Sequence, residues 1–143
     1  MKRLMIIFTV LAIFSCGNKQ QKAVSIDVPL TVDGKVDTSK LPIFTFVQDV
    51  FDFGQIKQGE KVSYSFKFKN SGSAPLIISS ASASCGCTVP SYPEEPIQPG
   101  EESKIDVVFD SNGKMGMQTK TITLVSNTIP NTKVLYLRGE IIN

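Results

Sequence analysis

The chain has 143 residues, with fifteen basic groups, thirteen acidic groups, three cysteines and no histidine. Without histidine neither a Ser-His-Asp nor a Cys-His catalytic arrangement can be built. Lys2 and Arg3 stand at the extreme N-terminus, and the other thirteen basic residues only balance the thirteen acidic ones, so no cationic cluster is left to neutralise a run of phosphates and nucleic acid is not an expected partner.

Lys2 and Arg3 precede an apolar run over residues 4–14, broken only by Thr9 and followed by Ser15-Cys16-Gly17. This is the layout of a secretory signal peptide. As a helix the run would extend about 16 Å, well short of the roughly 30 Å of a bilayer core, so export and removal are expected rather than a span. Ile13-Phe14-Ser15-Cys16 resembles a bacterial lipobox, although Phe14 is bulkier than the usual occupant of its position. The resemblance implies that Cys16 becomes the lipidated first residue; the alternative is an ordinary exported protein with a free thiol beside its cleavage site. Lipidation would remove that reactive thiol. Two or three acyl chains, at about 0.8 kcal/mol per buried methylene, give stable attachment. Residues 17–22 lack an acidic run of the kind that resembles a surface-export signal, which directs the expectation to the periplasm-facing outer membrane.

Residues 1–15 therefore read as a lipoprotein signal peptide, 16–42 as a lipidated N-terminus and polar tether with one short extended piece at 24–32, and 43–143 as the globular domain. Within it, residues 44–53 supply one or two strands. Val62, Tyr64, Phe66 and Phe68 alternate with Ser63, Ser65, Lys67 and Lys69, which places four large apolar groups on one sheet face. Residues 75–80 read as a shorter strand. Ile105, Val107 and Phe109 repeat the alternation, as do Ile122 with Leu124 and Leu135 with Leu137 and Ile141, leaving Tyr136 and Arg138 outward. Turn residues punctuate these runs at Asn70-Ser71-Gly72, Pro99-Gly100, Ser111-Asn112-Gly113 and 127–131. Strands at this spacing, with no helical period, predict an all-β sandwich.

Asp52-Phe53-Gly54-Gln55-Ile56 with Gly59-Glu60, then Phe66-Lys67-Phe68-Lys69-Asn70-Ser71-Gly72, Pro75-Leu76-Ile77-Ile78, Ser84-Cys85-Gly86-Cys87-Thr88 and Pro99-Gly100-Glu101 resemble a bacterial family of exported, often lipid-anchored Ig-like proteins of unknown function. A more distant likeness is to the Hydin-type and abnormal-spindle-type domains, relatives of the major sperm protein and pilus-chaperone sandwich. The resemblance implies an Ig-like antiparallel β-sandwich of about seven to eight strands, used as a non-catalytic interaction module with another envelope protein as partner. It implies no substrate and no oligomeric state.

Cys85-Gly86-Cys87 supports three readings. As small apolar groups at a strand end, the cysteines are packing residues and Gly86 marks a bulge or close backbone approach. A regular strand sets residues two apart about 6.6 Å from each other, near the limit for a disulfide, unless Gly86 bends the chain and brings the sulfurs together. With Cys16 lipidated they are each other's only partner in an oxidising compartment. The third reading is soft-metal binding: two thiols together with Met115 and Met117 would suit Cu(I), although methionines near a turn more often pack than ligate. Glu94-Glu95 and Glu101-Glu102 read as solvated surface, and Tyr92 as an anchor for its proline-rich loop. The expected protein is an extracytoplasmic lipoprotein with a non-catalytic binding or assembly module and no cofactor. A thiol-redox or Cu(I)-handling role for Cys85 and Cys87 is the alternative.

Overall fold

The computed structural model describes residues 40–84 and 91–143. Among the described residues seven strands are formed: β1 (Phe44–Phe46), β2 (Val50–Lys57), β3 (Lys61–Asn70), β4 (Ile78–Ala83), β5 (Glu102–Asp110), β6 (Gly116–Ser126) and β7 (Thr132–Ile142). They make two sheets, ordered β1-β3-β5 and β2-β7-β6-β4, packed face to face around one core.

The alternation anticipated in β3 holds: Phe66 and Phe68 are buried while Lys67 and Lys69 face solvent. From the same sheet β5 sends in Ile105, Val107 and Phe109. Opposite them stand Ile122 and Leu124 of β6 and Leu135, Leu137 and Ile141 of β7. Aromatic rings close the flank where β1 and β2 lie, with Phe51 stacked on Tyr64 at 3.8 Å between centroids and Phe44 edge-on to Phe68 at 5.1 Å. Offset-stacked and edge-on pairs such as these satisfy the ring quadrupole as well as burying area.

Residues 44–53, read as one or two strands, belong to two that divide between the sheets, β1 pairing with β3 and β2 with β7. Two features depart from expectation. The β2–β7 pair is parallel, so the larger sheet is mixed rather than wholly antiparallel; almost the whole domain separates the two strands in sequence, and no hairpin obliges them to run opposite ways. The strand expected over 75–80 begins at Ile78, because Asn127 claims the main chain before it. The Asn127 amide donates to the Pro75 carbonyl at 3.0 Å, its Oδ1 accepts from Ile77 N–H at 2.9 Å, and its own N–H donates to the Ile77 carbonyl at 3.1 Å. Leu76 instead exchanges two hydrogen bonds of 2.9 Å with Ile97.

Asn70 plays the same part at the end of β3. Its side chain is fully buried and donates to the carbonyls of Ala74 and Ile97 at 2.8 and 2.9 Å. Its Oδ1 accepts from Gly72 N–H at 3.0 Å and Ile43 N–H at 3.3 Å. One amide thus satisfies main-chain groups from four places in the chain. Removing it orphans several at once, so Asn70→Ala should lower the unfolding free energy by about 2 to 4 kcal/mol in urea titrations. Phe66→Ala should cost about 3 to 5 kcal/mol by the same measurement, through cavity formation.

Candidate functional site

Cys16, Cys85 and Cys87 lie outside the described residues. The points at which the chain leaves and re-enters are well anchored. Ser84 N–H donates to the Thr121 carbonyl at 2.9 Å, and Thr121 N–H donates to Ser84 Oγ at 3.0 Å. On the far side, Ser91 and Asp106 exchange two main-chain bonds of 3.0 Å. The connection carrying Cys85 and Cys87 therefore starts on the β4 edge of one sheet and finishes on the β5 edge of the other.

Met115 and Met117 flank Gly116 at the start of β6 and are exposed, at 51% and 76%. They are not the packing groups that methionines near a turn usually are. Met117 alternates with the inward Ile122 and Leu124 and so points away from the core, while Met115 precedes the strand. Met117 precedes Thr121 by four residues, about 13 Å along the strand. Of the other side chains singled out from the sequence, Glu94, Glu95, Glu101 and Glu102 are exposed, and Tyr92 packs partly buried against the core.

The sheet edges distinguish themselves by their chemistry. β1 is only three residues long. On β5 the outer side is bridged by Ser91, and Glu102, Lys104, Asp106 and Asp110 line the strand. β2 carries a register shift between Asp52 and Gln55, where Gly54 adopts a φ of 68°. Opposite this bulge Gly139 leaves room for the Phe53 ring, which any Cβ at 139 would strike. Short strands, charges and bulges are the devices that keep edges from pairing with other chains. β4 has a register shift of its own, between Ile78 and Ser80, but lacks charge, proline and glycine throughout its sequence Ile-Ser-Ser-Ala-Ser-Ala. Its serines at 79, 80 and 82 are exposed, whereas Ala81 and Ala83 lie half-buried against the core. Serine and alanine are weak strand formers, so the sequence pattern did not mark this segment as a free edge.

A second constellation lies on the outer face of the smaller sheet. Ser65 Oγ donates to Asp106 Oδ1 at 2.5 Å, and Lys104 Nζ sits 2.9 Å from Asp106 Oδ2. The Ser65 hydrogen bond, followed by Lys104, holds the Asp106 carboxyl below the usual carboxylate range. A depressed folded-state pKa contributes stability that is complete above the ordinary carboxylate pKa and is lost as the pH falls through the lowered value. Asp106→Asn should therefore flatten part of the acid-side decline of the urea midpoint below the ordinary carboxylate pKa. Gly139→Ala, by contrast, should lower that midpoint at every pH, since Phe53 must shift.

Residues 44–141 match the DUF1573 family, described as a protein of unknown function. No curated protein matches the chain. Among solved structures it is similar to a protein of unknown function from Porphyromonas gingivalis W83, at 18% identity and a TM-score of 0.61, covering 73% of this chain and 49% of that one. It is also similar to the ASH / PapD-like domain 7 of human CEP192, at 13% identity and a TM-score of 0.53, covering 83% and 96% of the two chains. The YadV chaperone is a third, at 11% identity and a TM-score of 0.52, covering 70% of this chain and 52% of that one. The chain thus spans about half of the P. gingivalis and YadV chains, and at these identities the likeness is one of fold, a PapD-like or Ig-like sandwich. With most of its length matched, the chain belongs to the DUF1573 family of proteins of unknown function.

Proposed function

We propose that this protein is a lipid-anchored, non-catalytic assembly module of the cell envelope, which lends the free edge of β4 to an extended segment of another envelope protein. The observation that carries the reading is the main chain of β4, uncharged from Ile78 to Ala83 and, among the described residues, paired on one side only, by β6. An added strand would draw affinity from main-chain hydrogen bonds and specificity from side chains seated over Ala81 and Ala83, where the core side is only partly covered. The lipobox-like Ile13-Phe14-Ser15-Cys16 supports a lipid anchor, and the lack of an acidic run over 17–22 supports the periplasm-facing outer membrane, with residues 16–42 as lipidated N-terminus and tether.

A photo-crosslinking residue at Ser82 in native envelopes should capture a defined envelope protein, and the same residue at Gln55 on β2 should not. Equal capture from both positions, or none from Ser82, would refute the edge reading. Cys16→Ser should move the protein from the membrane fraction to the soluble one and remove acyl mass from its N-terminal peptide.

A second reading is favoured by the accessible thioethers of Met115 and Met117. Together with Cys85 and Cys87 they would supply a soft donor set for Cu(I), or the two cysteines alone a redox pair. Thiol counting by mass, native and reduced, combined with Cu(I) titration, decides it. Two free thiols that bind no copper would remove both variants of this reading.

A further inference from the structure

The outer face of the β1-β3-β5 sheet holds a groove that neither reading uses. Two depressions, of about 590 and about 480 Å³, meet at Val47, Lys67 and Lys104. β3 runs for ten residues, yet β1 covers it only from Phe68 to Asn70, with one further bond from Val47 N–H to the Lys67 carbonyl at 3.1 Å. Among the described residues no strand pairs with that side of β3 from Lys61 to Phe66. Since the Lys67 carbonyl points towards β1, the alternation of the strand turns the main-chain groups of Ser65 and Ser63 to the same open side.

Charge singles out the same place. Lys67 and Lys104 stand directly opposite one another in the antiparallel ladder, where like charges cost stability. Lys104 is compensated by Asp106 at 2.9 Å. Lys67 makes no ion pair among the described residues, and Lys69, opposite Glu102, makes none either. Three lysines therefore face two carboxylates, and the uncompensated cation lies where the depressions meet. Val47, at 81% exposure the most open large apolar side chain described, stands on the rim. A glutamate at position 67 would turn this repulsion into attraction without disturbing the inner face of β3.

We infer that the groove binds an extended acidic peptide segment of a partner protein, which adds to β3 in line with β1, bonds the open main chain of Ser63 and Ser65, sets a carboxylate on Lys67 and rests an apolar side chain against Val47. A peptide fits better than an acidic polysaccharide because the open side of β3 offers alternating donors and acceptors that another backbone matches. This site is independent of the β4 edge and of the anchor.

The test uses the full mature chain in lipid nanodiscs and fluorescein-labelled octapeptides of alternating Val-Glu, Val-Thr and Val-Lys, followed by polarisation. The Val-Glu peptide should bind about tenfold more tightly than Val-Thr and lose affinity as salt is raised, and Val-Lys should not bind. Lys67→Glu should weaken Val-Glu binding about tenfold or more while raising the urea midpoint, a combination that misfolding cannot produce. Ser63→Pro, which removes one open-side N–H and leaves the β5 ladder intact, should also weaken it, whereas a crosslinker at Ser82 should have no effect. Equal binding of the three peptides, or Val-Glu binding that survives Lys67→Glu, would overturn the inference. So would Val-Glu binding that survives Ser63→Pro and is displaced by polygalacturonate, since the groove would then recognise anionic charge alone.

Discussion

The pairing of β6 with β7 is the contact on which the larger sheet depends. Ten residue pairs run without interruption from Gly116 opposite Ile141 to Val125 opposite Thr132. The inner residues Ile122, Leu124, Leu135 and Leu137 are completely shielded by the facing sheet. A ladder this long, buried on one face, leaves little freedom of register, because a slip of one residue would exchange every inner side chain for an outer one. β2 and β4 attach to its two sides and so become edges, with unequal means of protecting themselves.

The loops are held by side chains that substitute for the ladder. Asn70 and Asn127 each take up main-chain groups from neighbouring segments, and Ser111 donates to the carbonyls of Lys57 and Glu60 at the opposite end. Each is a buried or half-buried polar group at a place where the chain leaves a strand, and each converts an otherwise unsatisfied backbone into a fixed connection. Ser84 Oγ, accepting from Thr121 N–H, does this where the chain leaves β4, while at Ser91 two main-chain bonds with Asp106 hold the chain instead.

Surface charge is distributed with similar economy. Asp52 with Arg138 and Asp49 with Lys133 are matched on the larger sheet, and Lys61 with Asp110 at one end of the smaller one. Such exposed pairs contribute little to stability individually. Their significance lies in contrast: Lys67 stands opposite another lysine and makes no ion pair among the described residues, and β4 carries no charge at all.

Much of this architecture is legible in the linear chain. The period of two in β3, β5, β6 and β7 marks which side chains enter the core, since a strand's geometry sends alternate residues to opposite faces whatever it pairs with. The absence of histidine rules out a Ser-His-Asp or Cys-His arrangement before any fold is known, and the charged-then-apolar beginning ending at Cys16 carries the expectation of export and anchoring. The break of residues 44–53 between sheets, the displacement of the fourth strand to Ile78 and the exposure of Met115 and Met117 are not legible, because they follow from partners distant in sequence. The same holds for the candidate surfaces. The strand read over 75–80 shows no sign of being an edge until, among the described residues, β6 is seen along one side only, and Lys67 is an ordinary solvated lysine until the register sets Lys104 across from it. Local alternation determined what each strand buries; only long-range pairing decided which strand is an edge and which charges meet, because edges and cross-strand neighbours are properties of the sheet and not of any segment within it.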